Sequence, residues 1–362
     1  MGRPTSPANP LVSVVLAAHN SARYIERTLR SVLQQTYENI EVLVVNDGST
    51  DRTAEIVAGA AQSDSRVRIL HQQNQGVAAA RNRGIQDAQG SFIASIDSDD
   101  LWHPQNLAEQ VACFQRSDAL LGLVYSWSFD IDENDRPLGA FSAAAIDGFV
   151  YKTLLCHYFI GNASASLIRR SCLDAVGGYD CSLKAQGAQG CEDVDLALRI
   201  AEGHRFCHVP RFLVAYRKHA SSMSADFDRM GRSHDIVIGK VRERHPEVPP
   251  LLIRMARSSM ALYLAKQAAR NRDRAQTNRW LKRAFTADPL SSLLRPDFYR
   301  ALLFQSPAPK ALPPFRPGME PEVPQFRGRT LAVRSKVLAA SAVSRLIQLR
   351  LGMRNGQLFE SR

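Results

Sequence analysis

The sequence predicts an α/β protein with a mostly parallel sheet and helices on both faces, followed by a C-terminal α-helical extension. Short β-branched runs alternate with amphipathic stretches of about 12 residues through the first hundred positions. Such alternation is typical of right-handed crossovers between parallel strands. From Asp226 onward the pattern changes to Arg- and Ala-rich helices.

The elements follow from periodicity and from the residues that start and stop each run. Strands are predicted at 11–17, 40–45, 67–71, 92–96, 120–127, 161–168 and 212–216. Helices are predicted at 21–35, 52–62, 76–87, 104–116, 171–177, 192–201, 234–243, 250–271 and 274–286. Ser21 is the expected N-cap of the first helix, and residues 184–190 are expected to form a weakly structured loop.

Five segments are predicted along the chain. They are an N-terminal tail (1–10), an α/β domain (11–224), a helical extension (225–305), a proline-rich linker or arm (306–325) and a basic amphipathic helix (326–362). The arm is assigned because seven prolines lie between Ser306 and Pro324, which excludes regular structure there.

Charge is unevenly distributed along the 362 residues. Residues 1–224 hold 20 Lys and Arg against 24 Asp and Glu, whereas residues 225–362 hold 26 against 11. The basic part indicates an anionic partner such as an acidic membrane surface or a phosphate-bearing substrate, or simply solvated helical faces.

The expected location is the cytoplasm, because the sequence shows no signal-like start and no run of about 18 apolar residues. If the C-terminal helix binds lipid, we expect the protein to be peripheral at the inner face of the plasma membrane. The alternative for that helix is packing on the α/β domain or on a second subunit.

A buried strand ends in three carboxylates, Asp97, Asp99 and Asp100. Carboxylates at i and i+2 place hard oxygen ligands near one Mg²⁺ or Mn²⁺ ion. The alternative is a solvated turn whose Asp side chains cap the helix near Pro104.

Polar clusters also follow the first two strands, at residues 19–20 and 46–49. Ligands of open α/β sheets collect at the carboxyl ends of strands, so these clusters predict one site with the carboxylates after the fourth strand. Neither GxGxxG nor a P-loop follows the first strand, so a metal is expected to handle the phosphates of a ligand.

Six segments in order along the chain form a pattern: VVLAAHN, SVLQQTYENIEVLVVNDGSTD, GVAAARNRGI, DSDD, VGGYD and CEDVDLALRI. With these segments the chain resembles family 2 glycosyltransferases, the nucleotide-sugar-dependent enzymes of GT-A fold. The resemblance implies that the donor nucleotide sugar is bound by seven residues: Ala17, Ala18, Asn20, Asp47, Arg81, Asp97 and Ser98. It also implies that Asp99 binds the metal and that Asp193 is the catalytic base. His219, after the last strand, is expected to be a further metal ligand or a contact of the diphosphate, since neutral imidazole suits Mn²⁺ and its cationic neighbours suit phosphate.

Chemistry supports a base at Asp193. Inverting transfer to a hydroxyl needs a general base, and a carboxylate at a helix N-terminus is anchored and can remain ionised. Plain helix capping by Glu192, Asp193 and Asp195 is the alternative. Arg199 is expected to be a structural partner of these carboxylates.

The expected function is therefore inverting transfer of a sugar, from a UDP-sugar by preference, to a hydroxyl of a glycan or lipid-linked acceptor, with Mn²⁺ or Mg²⁺. A metal-dependent nucleotidyltransferase is a second hypothesis, but it calls for a Gly-rich basic loop where this chain has AAHNSA. A nucleic-acid-binding protein is a third, prompted by a pI of about 9.6. The basic part lacks interleaved aromatics, so no nucleic-acid partner is expected.

Overall fold

The computed structural model describes residues 9–219 and 222–303. The strands are β1 (Val12–Ala18), β2 (Ile40–Asp47), β3 (Val67–Gln72), β4 (Phe92–Asp97), β5 (Leu101–Trp102), β6 (Leu121–Ile131), β7 (Pro137–Ser142), β8 (Ser166–Arg169) and β9 (Arg205–Arg217). The helices of the α/β part are α1 (Ile25–Leu33), α2 (Thr53–Ser63), α3 (Val77–Asp87), α4 (Asn106–Gln115), α5 (Tyr151–Cys156), α6 (Arg170–Val176), α7 (Ser182–Ala185) and α8 (Glu192–Ala201). The helices that follow are α9 (Phe227–Arg244), α10 (Pro250–Arg270), α11 (Arg274–Ala287), α12 (Pro289–Leu293) and α13 (Pro296–Leu303).

The predicted α/β class with a helical extension is confirmed, although the sheet is more mixed than the sequence predicts. Its order is β3-β2-β1-β4-β8-β6-β9-β5, with β7 paired to β6. The first four strands of that order are parallel, as expected from their crossover helices. β8 runs antiparallel between β4 and β6, and β5 antiparallel to β9. Beyond Pro104 strands no longer alternate with full crossover helices, so antiparallel pairing becomes possible there.

The core of the α/β part lies between the parallel strands and their helices. Val15, Leu43 and Val44 are fully buried. Helix α3 approaches β1 so closely that a Cβ atom on Gly84 would lie 2.5 Å from Val15 Cγ1. Glycine at this position therefore allows the helix that carries Arg81 to lie directly on the sheet.

One local prediction was wrong, and a second differs from the structure at two residues. Residues 161–168 do not form one strand, since β8 begins only at Ser166. Gly161 is exposed, whereas residues 162–165 before β8 are buried, and the Ser164 carbonyl accepts a hydrogen bond from Trp102 Nε1 at 2.8 Å. Within the expected 184–190 loop, Lys184 and Ala185 close the short helix α7.

The C-terminal helices have a core of their own around the buried Trp280. Asp226 and Asp273 cap α9 and α11, each accepting a backbone N–H bond from the residue three positions later. No helix in the described ranges 9–219 and 222–303 is both long and apolar enough to cross a membrane. The predicted proline-rich arm and basic terminal helix lie outside the described residues, and the five segment boundaries stay predictions.

Candidate active site at the carboxyl edge of the sheet

The carboxyl ends of three parallel strands bring the predicted donor-binding residues together. In the register of the sheet, Ala17 lies beside Asp97 and Ala18 beside Asn46. Asp47 follows at the end of β2, opposite Gln72 of β3. The polar clusters that are separated by about 30 to 50 residues in the chain thus share one edge, as parallel pairing requires.

Asp47 is buried and anchors the loop that leads into α3. Its carboxylate accepts hydrogen bonds from Gln72 Nε2 at 2.7 Å and from the backbone N–H groups of Gln75 and Gly76, each at 2.8 Å. Gly76 has φ of 90°, a conformation that favours glycine. Asp47 therefore holds the backbone of Gln75 and Gly76 in place, and its predicted contact with the base would use the oxygen lone pairs that remain.

The first loop is held by polar contacts to the second and fourth strand ends. Asn20 adopts φ of 50°, and its side-chain oxygen accepts the Thr50 N–H at 2.8 Å. Ser98 Oγ shares a hydrogen bond of 2.6 Å with Ser21 Oγ. Ser21 is therefore not the N-cap of α1, which begins at Ile25, because its hydroxyl bonds across the site instead.

Arg81 joins α3 to the end of β4. It is 4% exposed, forms an ion pair with Asp97, and lies over the Tyr179 ring at 5.1 Å from the centroid. Burial by itself would lower the pKa of the guanidinium, but the Asp97 charge raises that pKa overall, so Arg81 is a fixed cation. One oxygen of the Asp97 carboxylate, Oδ1, is thereby paired with Arg81.

The predicted metal ligands Asp99 and His219 are neighbours. His219 Nε2 lies 2.7 Å from Asp99 Oδ2, although 120 residues separate them in the chain. In the described part of the chain no group of three or more His, Cys, Asp or Glu side chains could hold a metal. The pair still fits Mn²⁺ or Mg²⁺, since one carboxylate and one imidazole leave positions for substrate phosphate oxygens and water.

Asp100 has a different role from its two neighbours. It is fully buried, and its carboxylate accepts from Ser164 Oγ at 2.5 Å and from the Arg217 N–H at 2.8 Å. Burial, and then the Asp99 and Asp97 charges, raise its pKa. Helix α4 has no side-chain N-cap, so the alternative of a helix-capping Asp turn is not observed. Asp100 instead fastens the end of β4 to β9.

Arg217 has a structural role in the site that the sequence does not predict. Its fully buried side chain donates to the carbonyls of Asp99 and Asp132, both at 2.6 Å, and pairs with Asp135 at 2.5 Å. The guanidinium also lies 4.7 Å from the Tyr24 ring centroid. Arg217 therefore holds the backbone of Asp99 in place. Its only sequence signal is its position at the end of the last strand, beside Lys218 and His219.

Three carboxylates at the start of α8 have three different environments. Glu192 accepts the Gly190 N–H at 2.8 Å, and Asp195 pairs with Arg199, as predicted. Asp193 accepts a hydrogen bond from a phenol and from its neighbour's N–H. Burial raises the pKa of Asp193 to about 6, against the opposing charge of Arg81. A carboxyl group with that pKa is suited to take up and release a proton near neutral pH.

Residues 13–177 match the family model described as glycosyl transferase family 2. This part of the chain belongs to that family. Glycosyltransferase GlyG of Streptococcus pneumoniae is 40% identical over 128 residues, which are 34% of this chain and 41% of GlyG. Chondroitin synthase of Pasteurella multocida is 27% identical over 242 residues, which are 65% of this chain and 23% of the synthase. The chain thus spans less than half the length of these curated relatives.

Solved structures show that the family 2 domain has the GT-A fold. Residues 1–349 of Staphylococcus aureus TarS, crystallised with UDP-GlcNAc, superpose with a TM-score of 0.55 at 16% identity, covering 80% of this chain and 87% of TarS 1–349. The mannosyltransferase PcManGT of Pyrobaculum calidifontis, crystallised with GDP-Man and Mn²⁺, superposes with a TM-score of 0.52 at 19% identity, covering 94% of this chain and 90% of that protein. The roles of individual residues in this chain stay predictions.

Proposed function

We propose that this protein is an inverting glycosyltransferase that moves a sugar from a UDP-sugar to a hydroxyl group of a glycan or a lipid-linked acceptor. The observation that carries the proposal is the placement of Asp193, a carboxyl group with a pKa of about 6, in the same electrostatic environment as Arg81 and Asp97 at the sheet edge. A general base beside the donor-binding edge is what single displacement at the anomeric carbon requires.

The reaction proceeds in one displacement. The acceptor oxygen forms a bond to the anomeric carbon while the bond from that carbon to the diphosphate breaks, and the acceptor proton passes to an oxygen of Asp193. Asp47 and the backbone at Ala17 and Ala18 bind the nucleoside, and Arg81 keeps Asp97 oriented toward the ribose. Bound Mn²⁺ or Mg²⁺, held by Asp99 and His219, would offset the charge on the departing diphosphate.

Donor binding gives the direct test. Thermal unfolding is measured with UDP and with GDP, each with and without Mn²⁺, and with an oligonucleotide of similar charge. Stabilisation by UDP that depends on Mn²⁺ supports the proposal, and a panel of UDP-sugars screened for hydrolysis then identifies the sugar. Stabilisation by GDP alone would overturn the preference for UDP. Stabilisation by the oligonucleotide and by neither nucleotide would overturn the enzymatic function.

We also propose that the C-terminal helices face an anionic membrane from the cytoplasmic side, where a lipid-linked acceptor would lie. Residues 227–303 hold 16 Lys and Arg against 7 Asp and Glu. Helices α12 and α13 expose leucines at helical spacing: Leu290, Leu293, Leu294, Leu302 and Leu303. Exposed leucine beside basic residues suits the surface of a bilayer rich in anionic lipid.

Sedimentation with vesicles of anionic or neutral lipid, at low and high salt, tests the membrane contact. Full-length protein is compared with a truncation at Pro313. Pelleting with anionic vesicles only, weakened by salt, supports the contact. If neither protein pellets, the membrane contact is wrong, and if both pellet equally, the residues beyond Pro313 play no part in it.

A further inference from the structure

The predicted base Asp193 has a hydrogen-bond donor of its own. Tyr158, two residues after α5, donates its hydroxyl to Asp193 Oδ2 at 2.9 Å. The other oxygen, Oδ1, accepts the Val194 N–H at 2.9 Å. Each oxygen of the carboxylate thus accepts one hydrogen bond. These two bonds restrict the rotamer of Asp193 before an acceptor binds.

Charged and titratable groups from several elements act on Tyr158 and Asp193. Arg81 of α3 is the cation, and Glu192 and Asp97 are the anions that act on Asp193. Tyr179 and Cys191 are further titratable groups that interact electrostatically with Asp193. The Tyr179 hydroxyl forms a hydrogen bond with Ser95 Oγ at 3.1 Å. Tyr158 therefore hydrogen-bonds to Asp193, whereas the Tyr179 hydroxyl is bonded to Ser95.

Resting on the proposed function, we infer that Tyr158 is a positioning residue that holds the Asp193 carboxylate ionised and aimed at the acceptor hydroxyl. Tyr158 remains a phenol throughout, since burial raises its own pKa well above the ordinary value. It therefore donates to the carboxylate and does not exchange a proton with it. When Asp193 takes the acceptor proton, the hydrogen bond from Tyr158 weakens, because a neutral carboxyl group is a poorer acceptor than a carboxylate.

The sign of the effect follows from the direction of the hydrogen bond. A donor to the ionised form lowers the pKa of a carboxyl group, and Tyr158 does so for Asp193. In Tyr158→Phe this contribution is lost, so the pKa of Asp193 should rise further. The acidic limb of the pH profile for transfer should move upward by about one pH unit, the size expected for a hydrogen bond to a charged group.

The experiment measures kcat/KM for transfer between pH 5 and pH 9 with wild-type protein, Tyr158→Phe and Tyr179→Phe. Tyr179→Phe is the matched control, because it removes a hydroxyl from the same neighbourhood but keeps the ring beneath Arg81. An upward shift in Tyr158→Phe alone, with donor affinity unchanged, supports the inference. An unshifted acidic limb in Tyr158→Phe overturns it, whatever the loss in rate.

A second measurement separates this inference from the proposed function. Urea midpoints at pH 8 are compared for Tyr158→Phe, Asp193→Asn and the double variant. Effects that are not additive show that the phenol and the carboxylate interact even if no sugar transfer is found, in which case only the proposed function fails. Additive effects overturn the role of Tyr158 even if transfer is demonstrated.

Discussion

Replacing Asp193 by Asn should separate stability from activity. The pKa of this carboxyl group rises from 3.8 to about 6 in the folded protein, because burial disfavours the charge. A raised pKa means that the protonated group favours the fold below pH 4 and that this contribution is lost as the pH rises through 6. Two pKa units correspond to about 3 kcal/mol, of which roughly 2 fall between pH 4 and pH 8. Asn cannot ionise, so the variant should lack this part of the pH dependence.

Urea unfolding at several pH values from 4 to 8 measures this difference, and transfer assays follow at pH 8. Relative to wild type, the unfolding free energy of Asp193→Asn should rise by about 2 kcal/mol between pH 4 and pH 8. Transfer should fall by about 100-fold or more while donor affinity stays close to wild type. Asp174→Asn, at an exposed carboxylate of α6, controls for the change in net charge.

Two results would refute this reasoning. Unfolding with the same pH dependence as wild type would show that burial does not raise the pKa of Asp193. Transfer at an undiminished rate would place the base elsewhere, with Glu192 the next residue to test.

Three further predictions follow from the structure. Asp99→Ala should abolish Mn²⁺-dependent binding of UDP and leave the circular dichroism spectrum unchanged, because the residue supports no core; Mn²⁺-dependent binding of wild-type affinity by calorimetry would contradict the metal site. Arg217→Met should lower the free energy of unfolding in urea by roughly 3 to 5 kcal/mol, because it leaves two carbonyls and a carboxylate without their buried donor. A decrease of less than about 1 kcal/mol would show that Arg217 does not hold these groups in place. Gly84→Ala should lower the melting temperature, since the new methyl group would lie 2.5 Å from Val15 Cγ1. Gly59→Ala, with open space around the new methyl group, should raise the free energy of unfolding by about 0.5 to 1 kcal/mol and is the matched control. Equal shifts of the melting temperature in the two variants would show that α3 does not lie so close to the sheet.

Much of the α/β part could be predicted from local pattern. The four parallel strands and α8 follow from hydrophobic periodicity and from the polar residues that end each run, so their bounds agree with the structure to within one or two residues. The position of Asp193 in the first turn of α8 follows in the same way. The prediction fails where pairing is not local, as at residues 161–168, whose small side chains are buried by contacts with Trp102 and Asp100.

By itself the sequence determined that polar residues follow the parallel strands and which residue types meet at that edge of the sheet. Both depend on the alternation of short apolar runs with helices. Only the tertiary structure decided what each carboxylate does. The sequence alone does not distinguish Asp97, Asp99 and Asp100 from one another. In the structure their carboxylates contact Arg81, His219 and the backbone N–H of Arg217 respectively. Those partners come from positions 16 to 120 residues away in the chain, and burial differs at each. The chemistry of a carboxylate depends on burial and on neighbouring charge, and the folding of distant segments onto one edge of the sheet sets both.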